Sequence, residues 1–216
     1  MKLTRDRIID AGMATFAEVG YQALSMRQVA ERLDVHAGSL YYHVRNKNAL
    51  LQLMADRVAR RAYDAGTAAL DRLPGDADWR ARIEAQMTTL RESIKRHPGG
   101  ATLLAESPKV LSVGALSLME RLLRTLADAG MPEQQRIIGA DTLLSHVTGF
   151  VLQEQSEPDA PAVDAGELAD LGARFPLTVA GAARYDQEDK FMRSVRLLCA
   201  GIANLSAENS GQCTRE

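Results

Sequence analysis

Ser25-Met-Arg-Gln-Val-Ala-Glu-Arg-Leu-Asp-Val-His-Ala-Gly-Ser-Leu-Tyr-Tyr-His-Val-Arg-Asn-Lys47 is the stretch whose reading decides the fold. Ser25 and Gln28 make a Ser-x-x-Gln capping box, in which each side chain satisfies the other's free backbone amide. Val29, Ala30 and Leu33 follow at helical spacing and predict a buried stripe. Asp34 tolerates the left-handed region better than most residues and is expected to hold a turn. Val35 then plugs a second helix against the first. Ala37, Gly38 and Ser39 are small enough to let that helix start close to a backbone or phosphate. Leu40 and Val44 face inward, while Tyr41, Tyr42 and His43 project from the other side. The pattern predicts two short helices joined by a tight turn, the second over 37–44, and points to DNA rather than to catalysis.

The exposed face has the chemistry for that partner. Tyrosine contacts phosphate or a thymine methyl, and histidine donates to phosphate or a base edge. Arg45 and Lys47 bring positive charge to the backbone, and Arg27 is placed for a bidentate contact with guanine. Two plainer readings stay open: one of Tyr41 and Tyr42 packs on the preceding helix, and Arg27 is a solvated helix residue.

Net charge is −2 over 216 residues, an unpromising value for a DNA binder until the chain is divided. Residues 1–61 hold ten Lys or Arg and six Asp or Glu, a net of +4, and the remainder carries −6. The positive end holds the motif, as phosphate binding requires. Hydrophobic residues make up 46% of the chain with few aromatics, which suits a Leu- and Ala-rich helical core. There is no alternating strand pattern, no apolar run long enough to cross a bilayer, and no signal-peptide opening. Cys199, in an apolar helix, and Cys213, in a polar tail, fit reduced thiols in a cytoplasm rather than a disulfide framework.

Beyond the motif the chain reads as helices punctuated by Pro and Gly, giving an all-α protein. Asn46 caps a helix carrying Leu50, Leu53, Met54, Arg57, Val58 and Arg61 at three- and four-residue spacing. Further helices start near Asp78, near Val113 and at Glu133, the last reaching Gln155. A helix capped by Asp186 carries Phe191, Val195, Leu198, Ile202 and Leu205 and ends by Ala207. The helices over 133–155 and 187–205 hold more apolar surface than one small core needs, so a second copy is expected to cover the excess. Residues 156–166 are acidic and aperiodic and predict a loop, with a short helix over 167–173. The division expected is a three-helix DNA-binding domain over 1–47 and a larger helical effector-binding and dimerisation domain over 48–216.

Residues 4–63 resemble the DNA-binding domain of the tetracycline-repressor (TetR) family. The resemblance rests on Ile8-Ile9-Asp10-Ala11, Phe16-Ala17-Glu18-Val19-Gly20-Tyr21, Leu24-Ser25-Met26-Arg27, Leu40-Tyr41-Tyr42-His43-Val44-Arg45-Asn46-Lys47 and Ala49-Leu50-Leu51. It implies operator contacts by Arg27, Tyr41, Tyr42 and His43, a phosphate on Lys47, and a homodimer paired through the last two long helices. Many family members have Gly where this chain has Asp34. Residues 78–205 resemble, more weakly, the ligand-binding domain of tetracycline repressors, through Trp79-Arg80, His97 with Gly100-Ala101, and Thr148-Gly149-Phe150-Val151-Leu152. The metal-holding His of those repressors is missing: Leu103-Leu104-Ala105 stands there, and Gln153 replaces a helping carboxylate. The resemblance therefore implies a mostly apolar or aromatic effector without metal or other cofactor. Candidate lining residues are Met87, Leu90, Leu104, Leu116, Met119, His146, Phe150 and Phe175, with His146 the polar one.

Together these observations predict a cytoplasmic, homodimeric repressor released from its operator by a small molecule. Two other classes fit the sequence less well. An enzyme lacks support, since no His-Glu-x-x-His, Cys-x-x-Cys, Gly-x-Ser-x-Gly or phosphate-loop pattern occurs. An effector-independent architectural binder would need a small packed second domain rather than some 150 residues of helix.

Overall fold

The computed structural model describes residues 2–107, 112–156, 164–182 and 186–212. Pro108, the loop residues 157–163, Cys213 and the side chain of Leu205 lie outside the described residues. Eleven helices occur among the described residues and no strand. Helix α1 (Arg5–Ala23), α2 (Met26–Arg32) and α3 (Ala37–Tyr41) form the head. The long α4 (Lys47–Leu70) leads into a body of α5 (Trp79–Lys95), α6 (Gly100–Glu106), α7 (Val113–Asp128) and α8 (Glu133–Gln155). Then come α9 (Ala165–Arg174), α10 (Pro176–Ala182) and α11 (Gln187–Gln212), the last running past Ala207, where the apolar period stops. No described helix is long and apolar enough to cross a membrane.

The helices begin where short polar side chains can hold free amides. Thr4, Ser25, Asn46, Asp78, Ser112 and Asp164 each accept a backbone N–H of the first turn, and Asp186 accepts the Asp189 amide at 2.7 Å. Gly20 interrupts α1 with φ 76°, a conformation that a side chain would strain. The head core is Ile8, Phe16, Leu24, Val29, Leu40, Val44 and Leu50, all fully or almost fully buried.

In the body, α5, α7 and α8 pack around Ile83, Met87, Ile94, Leu122, Leu126, Leu143 and Val147, and α11 closes one side with Phe191, Val195 and Cys199. Burial pushes the Cys199 thiol up to about 11, so it is an inert core group. Arg91, with a side chain 4% exposed, crosses this core. Its guanidinium takes both oxygens of Glu154 at 2.7 and 3.0 Å, pairs with Glu188, and lies over the rings of Phe150 and Phe191. Hydrogen bonds to the Glu154 carboxylate outweigh burial and hold the Arg91 pKa above its ordinary value. α5, α8 and α11 are thus locked by one buried cation whose charge is fully met.

Two successive residues of α4 tie the head to the body. Arg57 reaches α1 and bridges Asp6 (2.7 Å) and Asp10. Asp56 faces α7: its Oδ1 accepts the Gly114 amide at 2.7 Å and the Ser112 hydroxyl at 2.8 Å, and its Oδ2 accepts Arg60 Nε at 2.6 Å. Burial opposes ionisation of Asp56, but the bonds from Gly114, Arg60 and Ser112 prevail and hold its pKa below the ordinary value. Gly114 is required at this crossing, because a Cβ there would meet the Arg60 backbone nitrogen at 2.7 Å and the Asp56 carbonyl at 2.8 Å.

Candidate DNA interface and effector groove

The capping box at the start of α2 is complete: Ser25 N donates to Gln28 Oε1 at 2.8 Å, and Gln28 N donates to Ser25 Oγ at 3.3 Å. After α2 the chain turns through Asp34 at φ 53°, the one described non-glycine residue with positive φ. The Val35 amide bonds the Ala30 carbonyl and the Asp34 amide bonds Glu31, both at 3.1 Å. This is a Schellman stop with aspartate in the place glycine usually takes. It aims α3 away from α2 and seats Val35, half-buried, against the head core.

Helix α3 is shorter than the spacing predicts. It ends at Tyr41, although the His43 and Val44 amides still bond Leu40 O at 2.9 and 2.8 Å. The reason lies five residues on. Asn46 must be fully extended (φ −166°, ψ 176°) to cap α4 through the Ala49 amide, so the chain leaves the helix early. Leu40 and Val44 are buried, while Gly38, Ser39 and the side chains of Tyr41 and Tyr42 face solvent, Tyr42 at 89% exposure. Ala37 and His43 are half-buried. The Tyr42 and His43 rings meet edge to face at 5.2 Å. An apolar underside thus fixes a short, polar, aromatic ridge. A Cβ at Gly38 would meet nothing, so the small residue there keeps the outer surface low rather than relieving a clash.

Two sequence-predicted cations are placed differently from the ridge. Arg27 is exposed on α2 and pairs with Glu31 at 2.9 Å, a contact that solvent makes cheap to break. Lys47 donates to the Gln22 carbonyl at 3.0 Å and lies over the Tyr21 ring, so it staples the start of α4 to the end of α1. Arg45 is exposed beside the ridge.

The eight candidate effector residues do not line one cavity. Met87 and Leu90 are buried core, and Leu104 and Phe150 pack half-buried against it. His146 Nε2 lies 2.6 Å from the Ser194 hydroxyl and its ring stacks on Phe191, so it is a satisfied core histidine, with burial pushing its pKa down. Phe175 is half-exposed at the end of α9. Leu116 and Met119 do share a site, a groove of about 610 Å³ between α7 and Tyr63 of α4. Beside them lies Arg121, which the sequence reading passed over. A signal for it exists: Arg121 sits three residues after Leu118 and four before Thr125, on the inward phase of α7. A charged residue at such a phase marks either a buried pair, as at Arg91, or a charge awaiting a partner.

A head whose short second helix presents an aromatic, polar ridge, carried by a long helix into a larger helical body, defines a helix-turn-helix DNA-binding transcriptional regulator. The chain belongs to the TetR family. Residues 8–54 match the family model described as bacterial regulatory proteins, tetR family, and residues 73–205 match tetracyclin repressor-like, C-terminal domain. An HTH-type transcriptional regulator of Saccharopolyspora erythraea is 31% identical over 93% of this chain and 85% of its own length. The Streptomyces coelicolor TetR-family protein ActR, solved in complex with (S)-DNPA, superposes with a TM-score of 0.76 at 25% identity, covering 94% of this chain and 98% of that one. BioQ, solved with its double-stranded DNA operator, superposes with a TM-score of 0.67 at 27% identity, covering 94% and 99%. These relatives point to regulation rather than to catalysis.

Proposed function

We propose that this protein is a homodimeric repressor whose head, residues 1–47, holds operator DNA and whose body, residues 48–216, dimerises and binds a small effector that releases the operator. The observation that carries the reading is the solvent-facing ridge of Gly38, Ser39, Tyr41 and Tyr42 on a helix anchored by buried Leu40 and Val44. The ridge enters the major groove with Tyr41, Tyr42 and His43 on bases or phosphates, and Ala37 and Ser39 at the helix start on the backbone. Arg27 exchanges Glu31 for DNA, and Lys47 holds the head together beside a phosphate. The BioQ–operator and ActR–ligand structures support the two halves of the reading. The site of action is then the cytoplasm, where the chromosome lies, and no cofactor is needed.

Dimerisation has its own support. Ile138 on α8 and Leu197 on α11, the latter 73% exposed, flank a shallow apolar groove with Thr142 and Gly201. The small residues there allow helices of a second copy to approach closely, and a paired dimer then sets two ridges on one DNA face, roughly 34 Å or more apart. The test is anisotropy titration of labelled DNA from the chain's own genomic neighbourhood. Tyr42→Ala should leave folding and dimer mass unchanged and weaken binding at least ~10-fold, as loss of a base or phosphate contact does. Binding that rises with salt, or a Tyr42→Ala variant with wild-type affinity, overturns the assignment.

A further inference from the structure

We infer that the effector is an organic anion, an apolar body bearing a carboxylate, and that Arg121 is the residue that reads its charge. This rests on the effector-responsive reading above and names the class of molecule it requires. Arg121 Nε donates to Gln86 Oε1 at 3.0 Å, and Nη1 donates to the Tyr63 carbonyl at 2.6 Å and the Thr67 hydroxyl at 2.9 Å. All of these acceptors are neutral. The Tyr63 ring covers one face of the guanidinium at 4.4 Å. Nη2 is buried and has no hydrogen-bond partner among the described residues. No described carboxylate lies within ion-pair distance, Asp64 acting on it only from farther off, in contrast to Arg91, which has two.

A half-buried guanidinium held this way costs stability, because a partly desolvated cation with a buried, unmet donor is penalised twice. The surroundings are nevertheless built to keep it. Gly66 leaves the space that Nη2 occupies, since a Cβ there would collide with it. Gln86, itself buried, is fixed by Thr125 and by the Arg82 carbonyl so that its oxygen faces Arg121. Such support for an uncompensated charge fits a binding site better than a core. The adjoining groove carries the other half of the match: Leu116, Met119 and Leu123 offer apolar contact. Its two other charged residues, Glu120 and Arg124, already pair with each other at 2.9 Å. The unbalanced charge of the groove is therefore Arg121's alone, and its natural complement is one anionic group on an otherwise apolar molecule. Arg121 turns its Nη2 edge from Gly66 toward the groove when such a group arrives, and that displacement is the differential contact a switch needs.

The test uses the full-length protein with octanoate and 3-phenylpropionate, each at millimolar concentration, against their primary amides. The acids should raise the melting temperature and weaken operator binding about tenfold, an ordinary allosteric coupling, while the amides do neither. Arg121→Gln should still fold, dimerise and bind operator but lose the response. The inference fails if the amides act like the acids, if neither acid shifts wild type, or if Arg121→Gln still responds. It fails also if Arg121→Gln sediments as a monomer, for then the missing anion belongs to a second copy. Wild-type protein that binds no operator sinks the regulator reading itself, whereas bound operator indifferent to the acids sinks this inference alone.

Discussion

Removing the Asp56 carboxylate should loosen the joint between α4 and α7 by an amount that can be worked out bond by bond. Asp56→Ala leaves the buried Gly114 amide without an acceptor. That bond is charge-assisted, and an orphaned buried N–H costs about 1–3 kcal/mol. The half-buried Ser112 hydroxyl can turn to solvent and adds little. The Arg60 pair, with Arg60 55% exposed, is an i,i+4 surface contact of about 0.3–0.5 kcal/mol. The sum is about 1.3–3.5 kcal/mol. Asp56→Asn keeps an oxygen for Gly114 and Ser112 but loses the charge and puts a donor where Arg60 needs an acceptor, so about 1 kcal/mol should go. In a chain of this size each kcal/mol moves Tm by roughly 2–4 °C, so the alanine variant should melt about 3–14 °C lower and the asparagine variant a few degrees lower. Urea unfolding at one fixed protomer concentration measures the difference, and amide exchange at Gly114 reports whether the first turn of α7 has opened. The sign with pH follows from the lowered pKa: the carboxylate's contribution is complete above the unfolded value, 3.8, and fades as pH falls through the lower folded one. An asparagine variant as weak as the alanine one, or unchanged Gly114 exchange in Asp56→Ala, would refute the reasoning.

Three further outcomes are expected. Gly114→Ala forces a methyl group against α4 backbone and should cost about 1–3 kcal/mol by urea titration, more than any exposed alanine substitution on α7. Leu197→Glu puts a charge into the apolar groove between α8 and α11, and analytical ultracentrifugation should show half the dimer mass while circular dichroism stays helical. His146 and His97 both have pKa values pushed down, in each case first by burial, so their neutral forms stabilise the fold above the ordinary value of 6.5 and stability drains as pH falls through the lowered ones. His146→Gln should flatten the drop in melting temperature between neutral pH and about pH 5, and an equal drop in the variant would remove His146 as a cause.

Local chemistry made much of this fold readable. Ser25, Asn46, Asp78 and Asp186 mark helix starts because a cap is an interaction within four residues, and Asp34 marks the turn because few side chains accept positive φ. The start of α8 is legible from Gly130-Met131-Pro132, which ends the helix before it, although no side chain caps α8. Placement on the ridge was legible too, since Leu40 and Val44 fix which side is left outside. What periodicity cannot give is the partner of a face. Leu116 and Phe150 have the same apolar character, yet one lines an open groove and the other packs on His146 and Phe191. Lys47 reads as a phosphate ligand from its neighbours, but its bond to Gln22 spans 25 residues and no local pattern encodes it. Arg121 is the extreme case: its burial depends on a glycine 55 positions away having no side chain.

The placement of Asp56 beside Arg57 bears on how any signal could travel. Adjacent residues on a helix point about 100° apart, so α4 is held by α7 on one side and by α1 on another within a single turn. At its far end the same helix carries Tyr63 and Thr67, the neutral acceptors of Arg121, and Arg121 lies two turns along α7 from the Gly114 contact. α4 and α7 are therefore joined at two points, one at the groove and one beside the head. A ligand that alters the upper joint must either bend one helix or turn α4 about the lower one. Straight helices resist bending because every backbone bond along them would lengthen, and the buried Gly114 crossing leaves no slack for sliding. Rotation of α4 about the Asp56 joint is the softer response. Arg57 would carry it into α1, and Asn46 at the helix start would carry it into the turn that ends α3. On this geometry Asp56→Ala should separate two properties: effector binding, judged by the melting-temperature shift, persists, while its effect on operator affinity shrinks toward none. Full release of operator from Asp56→Ala by an effector that still binds would show that α4 moves by some other contact.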